Sequence, residues 1–264
     1  MRVVMMTDLE GVAGVASFEQ DTYGDAPYYE QAKRLLTAEV NAAVEGLLAA
    51  GAEDVLVIDG HGPGGIWFPD LHPKAQLMHG RPLAPESVRN KVVATYDVGV
   101  LIGQHAMAGV VDGDLAHTQS SRAIDSYTLN GIPIGETAQF ALMCGALGLP
   151  TIFLSGDEAA CREAEALIPR ITTAAVKQGL SRNSAISLSK EAARDLIRER
   201  IQQAVQKQRA DALPPLVLAP PYVLEKRYFH TDSADRAAEQ PHVERVDSQT
   251  VRLRSENILD ILYH

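Results

Sequence analysis

The sequence predicts a three-layer α/β protein built on a mostly parallel sheet, with a smaller mixed α+β lobe at its C-terminal end. Three observations carry that expectation. An apolar run of strand length begins almost at the first residue and ends in two acids and a glycine, Asp8-Leu9-Glu10-Gly11. Apolar runs then alternate with stretches of helical spacing, the pattern of βα units. Beyond Pro214 and Pro215 that alternation gives way to short β-prone runs, which divides the chain into a main domain over 1–212 and a lobe over 213–264.

Taken in order, Val3-Val4-Met5-Met6 is the first strand and leads into Thr7-Asp8-Leu9-Glu10. Residues two apart in an extended chain point the same way, so Asp8 and Glu10 project together. Residues 12–26, rich in Gly, Asp and Ser, read as a loop. The spacing of Ala32, Leu35, Leu36, Val40, Ala43, Val44, Leu47 and Leu48 predicts a helix over 27–50, closed by Gly51. Residues 54–59 form a second buried strand, which completes one right-handed parallel unit. Residues 60–85 are heavy in Gly, Pro and His and read as loop. The next buried strand covers 98–103 and runs into Gln104-His105. Asn130-Gly131 lies between β-prone runs over 127–134 and predicts a hairpin. A helix over 136–147, a strand over 151–155 and a helix over 157–167 follow. Ser189 caps a charged amphipathic helix that ends near Arg209. In the tail, 216–218, 243–246 and 250–253 are strand-like, and a short helix starts at Glu256.

Composition removes several function classes. A formal net charge of −10 over 264 residues argues against non-specific binding to nucleic acid or to an anionic membrane. Two cysteines, Cys144 and Cys161, supply neither a disulfide framework nor a Cys-rich zinc site. No charged, apolar leader and no apolar span of bilayer length is present, so the expected location is cytoplasmic. A serine hydrolase is disfavoured because no G-x-S-x-G elbow occurs.

The chemistry gathers where strands end. A parallel sheet brings its carboxyl ends to one edge, the usual place for ligands in open α/β folds. There lie Asp8 and Glu10, then Asp59-Gly60-His61, Gln104-His105, Ala116-His117-Thr118 and Gly135-Glu136, from five segments. His and carboxylate donors without thiolate suit Zn²⁺, Mn²⁺ or Co²⁺. Each residue also has a plainer reading. Asp8 and Glu10 could be solvated loop acids, His105 a hydrogen-bonded core residue, His117 a loop residue, and Glu136 an acid favoured by a helix N-terminus. Gly60-His61-Gly62-Pro63-Gly64-Gly65 formally matches G-x-G-x-x-G, but Pro63 and the residues after it argue against a helix opening there. His72, His79, His230, His242 and His264 have no strand-end position. Repeated placement at strand ends raises the set above its members.

In this order, Asp8-Leu9-Glu10-Gly11, Asp59-Gly60-His61, Gly103-Gln104-His105-Ala106, Ala116-His117-Thr118 and Ile134-Gly135-Glu136 resemble the D-aminopeptidases of DppA type, peptidase family M55. Ser155-Gly156-Asp157 and residues 171–177 resemble that family too. The resemblance covers roughly the first 180 residues. It implies two zinc ions, with Asp8 bridging, Glu10 and His105 on one, His61 and Glu136 on the other, and His117 as catalytic nucleophile or base. Gly60 and Gln104 stand where the family pattern leads one to expect Ser and Tyr. The implied activity is removal of an N-terminal D-amino acid, of D-Ala type, from short peptides. The implied assembly is a homo-oligomer, a decamer. Two alternatives remain at this stage: a metal-dependent amidase or deacylase acting on another small amide, and a non-catalytic metal-binding scaffold.

Overall fold

The computed structural model describes residues 1–264. Its elements in chain order are β1 (Arg2–Thr7), α1 (Tyr29–Ala49), β2 (Asp54–Asp59), β3 (Ala75–Met78), α2 (Glu86–Val93), β4 (Val98–Gln104), β5 (Ile124–Leu129), β6 (Ile132–Pro133) and α3 (Glu136–Ala146). The second half holds β7 (Thr151–Asp157), α4 (Glu158–Leu167), β8 (Thr172–Ser181), β9 (Ser184–Ser187), α5 (Lys190–Ala210), β10 (Tyr222–Tyr228), α6 (Thr231–Ala238), β11 (Glu244–Arg245) and β12 (Thr250–Ser255). No helix is long and apolar enough to cross a membrane.

The main sheet has seven strands in the order β3-β2-β1-β4-β7-β8-β9, all parallel except the last pair. Its central strands are covered on both faces, and successive residues feed different cores. Val3, Met5, Val55, Val57, Val100 and Ile102 pack with α1 and α5, through residues such as Val40, Leu47, Ile197 and Ile201. Val4, Leu56, Ile58, Leu101 and Leu154 pack on the other side with α3 and α4, through Phe140, Ala141, Ala160 and Ala164. Burial on both sides explains why these strands read as unbroken apolar runs. The outcome is the expected α/β/α arrangement on a mostly parallel sheet.

A second, antiparallel sheet has the order β11-β12-β10-β5-β6. The hairpin from β5 to β6 turns at Asn130 and Gly131, both at positive φ (51° and 79°), as an Asn-Gly turn requires. Residues 213–264 contribute β10, β11 and β12, and the sheet is completed by β5 and β6 from earlier in the chain. Tyr222, Leu224, Val251 and Leu253 share one core with Phe140 of α3. The tail thus covers one face of the main body through a sheet assembled from both sides of residue 212.

Several local expectations change. The stretch read as loop over 60–85 contains the edge strand β3, at four residues too short to stand out. Residues 216–218 form no strand, because they lie along α3: a Cβ on Gly145 would sit 1.8 Å from the Leu216 carbonyl oxygen. Strand β10 supplies that sheet's centre instead, and its charged residues Glu225, Lys226 and Arg227 mask its β character.

Candidate active site

Backbone pairing brings the carboxyl ends of β1, β2 and β4 to one point. The Asp8 amide donates to the Ile102 carbonyl at 2.9 Å, and the Gly11 amide to Gly103 at 2.8 Å. Such close approach leaves no room for a side chain at position 103. Gly103 has φ +75°, and a Cβ there would fall 2.1 Å from the Asp8 carbonyl oxygen. Position 60 is similarly constrained, since a Cβ would lie 2.6 Å from the Thr7 carbonyl oxygen. A serine at 60, as the family resemblance leads one to expect, would require the backbone to move.

The loop after β2 carries His61 and is held from beneath. The Asp59 carboxylate accepts from the amides of Gly65 (2.8 Å) and Ile66 (3.3 Å). Arg81 donates to the carbonyls of Asp59, His61 and Gly62. Asp59, a strand-end acid like Asp8, is thereby used as a loop brace.

All six residues singled out from the sequence meet here. His61 Nδ1 lies 3.2 Å from Asp8 Oδ1 and 3.1 Å from Glu10 Oε2. His105 Nε2 lies 3.0 Å from Asp8 Oδ2 and 3.5 Å from Glu136 Oε1. The His117 ring stacks on His105 with centroids 4.0 Å apart, and its Nε2 is 4.0 Å from Glu136 Oε1. Glu136 opens α3 and accepts the Gln119 amide at 2.7 Å. Donor atoms of Asp8, Glu10 and His105 all lie within 4.8 Å of one another, as do those of His105, His117 and Glu136.

The far nitrogen of each histidine decides what faces the cluster. His61 Nε2 donates to the Thr22 carbonyl (2.9 Å), His105 Nδ1 to the Ala106 carbonyl (2.9 Å) and His117 Nδ1 to the Leu115 carbonyl (2.9 Å). In a neutral imidazole that leaves the other nitrogen as a lone pair. Those lone pairs therefore turn toward three carboxylates, and like poles so close need a positive charge between them. His105 Nε2 is buried with no hydrogen-bond partner of its own. Backbone carbonyls fixing the far nitrogens are also how ligand histidines are oriented around a metal ion.

Without an ion, protons supply that charge. Burial would raise the Asp8 carboxyl, but the close imidazoles of His105 and His61 outweigh it and hold the group well below the usual range. Burial would lower His61, yet the Glu10 and Asp8 carboxylates hold it well above an ordinary imidazole. His105 behaves likewise against Asp8 and Glu136. His117 differs: burial, then the neighbouring His105 charge, pushes it down. It is the histidine kept neutral. The donor set of imidazoles and carboxylates without thiolate fits zinc.

Support comes from residues that sequence reasoning did not single out. Lys177 of β8 is fully buried and donates from Nζ to the Glu10 carbonyl (2.5 Å), the Val15 carbonyl (2.7 Å) and Asp114 Oδ2 (2.6 Å). Its signal was available, because a lysine closing the run Ala174-Ala175-Val176 in a buried strand must find a counter-charge. The cavity above the cluster holds about 360 Å³ and is lined by Tyr23, Arg89, Gln104, Arg122, Phe140 and Tyr263 as well as Asp8, Glu10, Glu136, His61 and His117.

An open cluster of imidazoles and carboxylates at the carboxyl edge of a parallel sheet defines a metal-dependent hydrolase class. Comparison with known proteins makes the class specific. The D-aminopeptidase family, peptidase family M55, matches residues 1–264. A D-aminopeptidase of Bacillus subtilis (strain 168) is 30% identical over 264 residues, covering 98% of this chain and 93% of that protein. A solved structure described as the Zn-dependent D-aminopeptidase DppA from Bacillus subtilis, a self-compartmentalizing protease, superposes with a TM-score of 0.89 at 30% identity. That superposition covers 100% of this chain and 94% of the other. The chain belongs to peptidase family M55 and is a metal-dependent peptidase of the D-aminopeptidase type.

Proposed function

We propose that this chain removes the N-terminal D-amino acid, of D-Ala type, from short peptides, using two zinc ions held by Asp8, Glu10, His61, His105 and Glu136. The observation that carries the reading is the set of inward imidazole lone pairs facing the buried carboxylates of Asp8 and Glu10 and the part-buried Glu136 at one open cavity. In this reading Asp8 serves both ions, since Oδ1 faces His61 and Oδ2 faces His105. By the family resemblance Glu10 and His105 would complete one side and His61 and Glu136 the other; donor atoms of Asp8, Glu10 and His105 do lie together, while the shortest remaining contacts pair His61 with Glu10 (3.1 Å) and His105 with Glu136 (3.5 Å). Two such ions, when bound, supply Lewis acidity toward the scissile carbonyl and an activated water.

The protein's own share is positional and acid–base. His117 is kept neutral, with Nδ1–H on the Leu115 carbonyl, so its Nε2 can accept a proton and later return it to the leaving amine. Gln119 holds Glu136 in place through its amide, and Lys177 holds Glu10 through its carbonyl. Residues 213–264 act as a lobe that closes the cavity on the Tyr263 side. By analogy with the self-compartmentalizing relative, the chain assembles as a homo-oligomer, a decamer in the family pattern, which admits small peptides. Cys144 and Cys161 are buried free thiols, each pushed up to about 12 by burial, in keeping with a cytoplasmic location.

A second reading of His117 makes it a ligand, since its donor atom lies within 4.8 Å of those of His105 and Glu136. His117→Ala separates the two. As an acid–base group it should cost roughly 10²–10⁴-fold in kcat with metal content retained and KM little changed. Loss of an ion with the activity would make it a ligand. The same assay on D- and L-aminoacyl amides and on N-acyl compounds tests the reaction class: turnover of N-acyl compounds alone would favour a deacylase.

A further inference from the structure

The cavity holds a cation that the reaction just described does not use. Arg89 lies one helical turn before the buried Val93 on α2. Residues four apart share a helix face, so that face carries the guanidinium into the protein, and its side chain is 18% exposed. There Arg89 Nε is buried without a hydrogen-bond partner. The carboxylate paired with it, Glu86 Oε1, is 3.7 Å from Nη2, too far for a hydrogen bond. The guanidinium carbon sits 5.9 Å from the Tyr263 ring centroid, at the limit of cation–π contact. By contrast, Arg81 on the same side of the site is spent on backbone carbonyls. A buried donor left unpaired costs about 1–3 kcal/mol, and such a group needs a reason to persist.

The rest of the cavity supplies one. Arg89 shares it with the acids Asp8, Glu10 and Glu136 and with the apolar Leu83, Phe140 and Tyr263. One cavity therefore offers carboxylates or their bound ions to an amine and carbonyl, apolar wall to a side chain, and to an anion the Arg89 guanidinium, held only by a long 3.7 Å ion pair with Glu86. A carboxylate is the anion that matches its planar fork, in paired N–H···O bonds. A cavity of about 360 Å³ lies near the lower bound of about 300 Å³ for small-ligand pockets. A short peptide that carries both its termini matches this layout.

We propose that Arg89 anchors the free C-terminal carboxylate of the peptide, which makes the enzyme selective for very short peptides with an unblocked C-terminus. This rests on the aminopeptidase reading above and specifies its substrate. The test compares hydrolysis of D-Ala-D-Ala with that of its C-terminal amide by the zinc-loaded full chain and by Arg89→Gln and Arg89→Lys. For the wild type kcat/KM should favour the free acid by about 10- to 100-fold, the value of one charged hydrogen-bonded pair, mostly through KM. Arg89→Gln should bring that ratio close to one by lowering the free acid alone, and Arg89→Lys should leave an intermediate ratio because the fork is lost and the charge kept. Equal rates on the two compounds in the wild type would overturn the anchor and leave the aminopeptidase reading standing. An equal loss on both in Arg89→Gln would do the same, as would loss of the ratio in Arg122→Gln and not in Arg89→Gln. Hydrolysis of neither compound, nor of any D-aminoacyl amide, would overturn the aminopeptidase reading and the anchor with it.

Discussion

Asp8→Ala is expected to abolish hydrolysis and to leave the protein with little bound metal, a larger effect than any other single ligand change. Both carboxylate oxygens are engaged, Oδ1 toward His61 and Oδ2 toward His105, so in the proposed dinuclear site removing Asp8 would take a donor from each ion. It also removes negative charge from between two cations, whose mutual repulsion at short range is large. Glu10→Ala removes one donor from one ion and should retain about half the metal. Metal content measured on well-folded protein decides the matter: equal content in the two variants would contradict a shared Asp8.

The second large effect is on stability and lies at Lys177. Lys177→Met removes the cation of a fully buried pair and leaves Asp114 facing Asp157 without compensation. Burial already pushes the Asp114 carboxyl up despite the lysine. Removing one partner of a buried pair costs about 3–5 kcal/mol, which for a chain of this size lowers Tm by about 10 °C. The Glu10 and Val15 carbonyls also lose their donor, so the first loop of the site should loosen and kcat should fall even where the protein stays folded. Lys177→Met combined with Asp114→Leu should recover much of the stability and little of the activity. Thermal unfolding of the three proteins checks this, and a single variant as stable as the wild type would refute the brace.

The legible parts of the fold were those where local chemistry and tertiary burial agree. Strands β1, β2 and β4 are apolar because both faces are covered, and Ser189 and Asp157 cap their helices through side-chain oxygens, as their residue types suggest. The hairpin was announced by Asn130-Gly131. Strand β3 was hidden because it is only four residues long, and strand β10 because its partly exposed face carries Glu225, Lys226 and Arg227, so that only its partners make it a strand.

At the site, all six residues converge, but the parallel topology accounts only for Asp8, Glu10, His61 and His105, which follow β1, β2 and β4; Glu136 follows β6 of the antiparallel sheet and His117 lies in the loop between β4 and β5. The residues that hold them were harder to read. Arg81 works through backbone carbonyls that carry no sequence signal, and Lys177 reaches Glu10 across 167 positions of chain. Gly60 shows the converse. Its departure from the expected serine is a consequence of packing against the Thr7 carbonyl, visible only once the strands are paired.

The proposed dinuclear centre is tested most directly by one titration. Protein stripped with a chelator is returned to activity by stepwise addition of Zn²⁺ while D-Ala-D-Ala hydrolysis and bound zinc are followed together. The structure-based account predicts no turnover in the stripped protein and full activity at about two zinc ions per chain, the number that two-metal sites require. Full hydrolysis by metal-free protein, or activity that saturates at one zinc ion per chain, would contradict it.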